Sequence, residues 1–96
     1  EELVSQEACE AMVNILLDQK FNEMIPAQLP GDVKVAHKTG WITSVRHDSG
    51  LVILPDGKKY VLVLLSKGWE SDELATEIMA NVSKIVYRYY IGNKIP

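Results

Sequence analysis

Two apolar runs meet at Pro55-Asp56-Gly57-Lys58, and that junction limits the fold more than any other stretch. Proline presets its own φ and glycine accepts a positive one, so a few residues suffice to reverse the chain. On either side stand Leu51-Val52-Ile53-Leu54 and Val61-Leu62-Val63-Leu64-Leu65. Short apolar runs bounded by turn signals read as strands. A link this tight joins antiparallel neighbours, because parallel ones need a long crossover. The second run is apolar at every position, which predicts a strand buried on both faces.

A third strand precedes these two. Val33 and Val35 alternate with polar residues and open it. The pattern predicts strands over residues 33–43, 49–54 and 60–66, joined as an antiparallel meander, with His47 and Asp48 at the entry to the second. Helices flank them. Ser5 can cap a first helix over residues 5–20, with Ala8, Met12, Ile15 and Leu16 as a core-facing stripe. Ser71 can cap a second over residues 71–91, with Asp72 and Glu73 at the positive end of its dipole and Gly92 as its stop. The expected fold class is α+β: a three-stranded antiparallel sheet flanked by N- and C-terminal helices that both pack on it. The 96 residues are expected to form a single domain fragment.

Composition excludes several functions. A net charge of −3 offers no electrostatic footprint for nucleic acid. No apolar run is long enough for a membrane span. Cys9 is the only cysteine, so no internal disulfide forms, and without a Cys or His at ligand spacing no metal site is expected. Its place in a helical pattern suggests a buried, inert thiol.

The chemistry gathers at His37-Lys38-Thr39-Gly40-Trp41. A cation beside a hydroxyl suits a carboxylate, and the glycine lets a ligand approach the backbone. K-T-G is also one motif of the penicillin-recognising serine hydrolases. The match extends beyond it. Leu29-Pro30, Val35 to Gly40, His47 to Val52, Pro55-Asp56-Gly57 and Tyr60 to Gly68, taken in order, resemble the C-terminal portion of class A β-lactamases and their relatives.

That resemblance implies the C-terminal part of a β-lactamase-like α/β domain. It implies a substrate-binding wall made by Lys38, Thr39, Gly40 and Trp41. Lys38 would supply charge near the nucleophile and the substrate carboxylate, and Thr39 would hydrogen-bond that carboxylate. The Trp41 backbone N–H would be an oxyanion-hole donor, a role whose loss typically costs about 10²–10³ in rate. Arg46 stands near the position of an arginine that assists carboxylate binding in many class A enzymes; its other reading is an exposed loop arginine. The implied substrate is a β-lactam or a peptidoglycan-like molecule, no cofactor is called for, and the implied location is secreted, periplasmic or the cell envelope.

The resemblance also shows what this stretch lacks. The family nucleophile lies in S-x-x-K, and none of the serines here has lysine three residues later. S-D-N is absent; Ser71-Asp72-Glu73 reads as a helix cap. The chain alone is expected to be inactive, with serine and base on a missing N-terminal segment. A peptidoglycan-processing acyl-transfer enzyme and a non-catalytic binding relative share the same pattern. The apolar edge of the third strand further suggests self-association or a companion segment.

Overall fold

The computed structural model describes residues 4–42 and 45–92, and within these Trp41 and Ile42 by their backbone only. Five elements follow the expected order: α1 (Gln6–Leu17), β1 (Lys34–Ile42), β2 (Val45–Ile53), β3 (Lys59–Lys67) and α2 (Asp72–Tyr90). The strands form one antiparallel sheet in the order β1-β2-β3. The β2–β3 turn closes as its residues require: Leu54 N donates to Lys58 O at 2.8 Å, Lys58 N donates to Asp56 Oδ1 at 2.9 Å, and Gly57 has φ +91°.

Both helices begin on a serine cap. The Ser5 hydroxyl accepts from Ala8 N at 3.1 Å and the Ser71 hydroxyl from Leu74 N at 3.2 Å. α1 stops at Leu17, short of the expected residue 20, with Asp18 at its C-cap. β2 departs more from the reading, starting at Val45 rather than at residue 49. Arg46, His47 and Asp48 therefore lie within the strand, where His47 and Asp48 had read as its entry and Arg46 as a loop residue. Each of them finds a partner there.

The register sorts the sheet into two faces, because side chains alternate along each strand. Val35, Val52 and Tyr60 align across the three strands, and so do Thr39, Asp48 and Leu64. This face carries α2 and the segment before β1. Its core is Ile25, Val33, Val35, Val52, Leu54 and Tyr60, with Val86 and Tyr87 of α2 packed against it. Ser83 of α2 donates to Ile25 O at 2.8 Å, tying the helix to that segment. The Tyr60 ring stacks on Tyr90, centroids 4.3 Å apart. Its hydroxyl is buried with no hydrogen-bond partner among the described residues, and its pKa is pushed up to about 12, chiefly by burial and then by the nearby Tyr87 and Tyr90.

The other face corrects three expectations. Val61, Val63 and Leu65 of β3 are 71%, 53% and 72% exposed, so the strand is buried on one face only within the described chain. α1 lies on this side, its Cys9 and Val13 sharing a cleft with Leu51 and Ile53, but none of its residues is buried. Met12 and Ile15 are exposed, and so is Cys9, which is therefore not a core thiol. The helical spacing was right and its burial was not. A stripe marks a side for packing without showing what packs there.

Candidate active site

K-T-G occupies the middle of β1, an outer strand with β2 on one side only. The period of two turns its neighbouring side chains apart. Lys38 pairs with Ser49 and faces the α1 side, where it is exposed. Its ammonium donates to Thr39 O at 2.7 Å. Thr39 pairs with Asp48 and turns to the α2 side, where it is half-buried. Lys38 and Thr39 thus do not share a face. Gly40, opposite His47, is exposed, and a Cβ there would meet nothing nearer than His47 Cβ at 4.0 Å. Only the backbone of Trp41 is described, paired with Arg46.

Thr39 lines a cleft of about 210 Å³ with Arg46, Phe21, Met24, Asp72 and Thr76. Arg46 is not a loop arginine. It lies in β2, is buried, and its Nη2 sits 2.7 Å from Asp72 Oδ2. Asp72 is the first residue of α2, where its charge also suits the helix dipole. Its side chain is 63% exposed, so the guanidinium is held from the solvent side of the cleft. A planar guanidinium beside a hydroxyl can receive a carboxylate.

Behind the cleft lies a buried polar group. Asp48 pairs with His37, not with its neighbour His47: His37 Nδ1 is 3.0 Å from Asp48 Oδ1, both side chains fully buried. Asp48 Oδ2 accepts from Ile25 N at 3.0 Å, and His37 Nε2 is 2.9 Å from Asn22 Oδ1. His37 and Asp48 fall on one face by the same alternation that puts Val35 and Val52 there, a signal the sequence did carry. His47 faces the other way, its Nδ1 accepting from Ser66 N at 3.2 Å. Ser66 donates to Arg46 O at 2.6 Å and accepts from the Trp69 indole at 2.7 Å, which fixes the strand end beside the cleft. Among the described residues no three His, Cys, Asp or Glu side chains gather as a metal site.

The model of the β-lactamase enzyme family matches residues 1–90 of this chain. The chain belongs to that family. A β-lactamase from Bacteroides uniformis is 37% identical over 71 residues, which is 66% of this chain and 24% of that protein. Among solved structures, a mutant of PBP-A, captured as an acyl-enzyme complex with penicillin G, is 31% identical with a TM-score of 0.85, over 93% of this chain and 34% of its own. A class A β-lactamase from Bacteroides cellulosilyticus is 33% identical with a TM-score of 0.75, over 88% of this chain and 34% of its own. The chain spans about a quarter of the length of the curated relative and about a third of these structures. The two helices and the antiparallel meander are a β-lactamase-family arrangement. No described helix is long and apolar enough to cross a membrane.

Proposed function

We propose that this chain is the C-terminal segment of a β-lactamase-like serine hydrolase and supplies one wall of its active site. The observation that carries the reading is the K-T-G strand bordering a cleft with a buried arginine, in a chain whose structural relative was trapped as a penicillin acyl-enzyme. Lys38 provides positive charge near the nucleophile and the substrate carboxylate. Thr39 and Arg46 receive that carboxylate, and Gly40 keeps the strand open to it. The Trp41 backbone N–H stabilises the oxyanion as the β-lactam carbonyl is attacked.

Because Lys38 and Thr39 face opposite sides, a shared ligand lies along the open edge of β1, where both can reach it. The catalytic serine and its base come from the rest of the protein, and the part that precedes this chain also pairs with the open edge of β3. Its place of action is the cell envelope or the exterior.

The likeness to PBP-A favours a second reading, a peptidoglycan-processing acyl-transfer enzyme with the same wall. One experiment addresses both. The complete protein is incubated with a fluorescent penicillin and its intact mass followed over time. A covalent adduct is expected with the complete protein and none with residues 1–96 alone. Rapid loss of the adduct with turnover marks a β-lactamase; a persistent adduct marks the acyl-transfer enzyme. A complete sequence without S-x-x-K, together with no adduct, overturns both in favour of a non-catalytic relative.

A further inference from the structure

We infer that Asn22, His37 and Asp48 are positioning residues that hold one wall of the cleft in place, and that they do so with the His37 ring doubly protonated. The functional consequence rests on the reading of the cleft as a β-lactam site; the clamp itself rests on hydrogen bonds.

His37 pairs with Gly50 across the sheet. A Cβ at Gly50 would stand 2.8 Å from His37 Cβ and 3.0 Å from Ala36 O, so glycine is what lets β2 lie this close to β1 at His37. Each ring nitrogen faces an oxygen: Nδ1 the carboxylate of Asp48, Nε2 the side-chain oxygen of Asn22. The orientation of Asn22 is set from its other end, where Nδ2 donates to Gln19 O at 3.0 Å. Turning that amide would place two oxygens together at Gln19 and abolish the bond. An ionised carboxylate and an amide oxygen only accept, so with Asp48 ionised both ring nitrogens donate. A ring with two N–H groups is the cation, here paired with a buried carboxylate.

The clamp holds a short piece of chain at two points. Asn22 is fixed through His37, and the Ile25 amide is fixed by the second oxygen of Asp48. Glu23 and Met24 between these points, and Phe21 just before them, line the cleft together with Thr39 and Arg46. Other charges around the ring are few. Lys38 is adjacent but points to the other face; Arg46, two residues before Asp48 on the same face, is engaged by Asp72; Glu23 on the wall is exposed. α2 brings the hydroxyl of Ser83 to Ile25 O. Without the Asn22 bond this piece of chain is held only at Ile25, and the Phe21–Met24 wall loosens.

The test uses the complete protein with Asn22→Ala, which breaks the tie at an exposed residue, and Asn22→Asp, which keeps the accepting oxygen. Nitrogen NMR of the His37 ring reads the clamp, and fluorescent-penicillin acylation reads the site. The wild type and Asn22→Asp are expected to show two protonated ring nitrogens, and Asn22→Ala a neutral ring with one. The penicillin concentration for half-maximal acylation is expected to rise about threefold to tenfold in Asn22→Ala, the weight of one hydrogen bond, and to return in Asn22→Asp. A bare ring nitrogen in the wild type overturns the clamp. A normal ring signature with unchanged half-saturation in Asn22→Ala overturns its role at the site. A protein that never labels with penicillin, yet shows the two-proton signature, contradicts the proposed function and leaves the clamp standing.

Discussion

The two sides of β3 are both apolar and differ sharply in exposure. β3 places Tyr60, Leu62 and Leu64 toward α2, and Val61, Val63 and Leu65 away from it. Side-chain chemistry does not separate the two rows. Tyr60 is 5% exposed while Leu65 is 72% exposed. What separates them is the covering layer: α2, Ile25 and the turn before β1 close one face, whereas α1 covers the other beside β1, where Ala36 is buried, and leaves Val61, Val63 and Leu65 of β3 exposed. The covered face also holds the polar pair His37–Asp48, and the open face holds Lys38. Burial here is thus a property of the layer, while alternation is a property of the strand.

The comparison breaks hardest at Asp48. Asp48→Ala leaves His37 buried without its carboxylate and the Ile25 amide without its acceptor. Removing one partner of a buried pair is expected to cost about 3–5 kcal/mol in chemical denaturation. A loss below about 1 kcal/mol would mean that the covered face does not depend on this pair.

Tyr60 sharpens the comparison with pH. The folded chain keeps this phenol neutral up to about 12, against 10 for the free side chain. Its stabilising contribution is whole below pH 10 and is lost as pH rises toward about 12. Across that window the loss is expected to reach roughly 3 kcal/mol, at 1.36 kcal/mol per unit. Tyr60→Phe should flatten this part of the pH profile; an unchanged profile would show that the phenol titrates in solvent.

The open face should be indifferent. Val63→Thr is expected to change stability by no more than about 0.5 kcal/mol in residues 1–96 alone. In the complete protein a loss of about 1 kcal/mol or more is expected if the proposed companion segment covers β3 there. Equal small effects in both would show that this face stays open.

Much of the fold was legible. The Pro55 to Lys58 turn, the two serine caps and the alternation in β1 fixed element order and type from local chemistry. Less of the site was. Arg46, His47 and Asp48 read as loop because polar residues at a strand's start carry no apolar signal, and their partners at Asp72, Ser66 and His37 lie far along the chain. The same limit misjudged Cys9, Met12 and Ile15, whose helical stripe is real but uncovered. K-T-G was visible as letters and as resemblance; that Lys38 and Thr39 diverge to opposite faces followed from the period of two and was missed.

The central claim is that Lys38 belongs to the binding wall rather than to the fold, and Lys38→Ala in the complete protein tests it most directly. Acylation by a fluorescent β-lactam and thermal unfolding are measured on the same samples. Loss of a charge-assisted bond of about 1.5–3 kcal/mol should slow acylation by roughly one to two powers of ten. Stability should change by about 0.5 kcal/mol or less, as for an exposed strand lysine. Equal acylation rates in wild type and Lys38→Ala would contradict the claim, whatever the unfolding curves show.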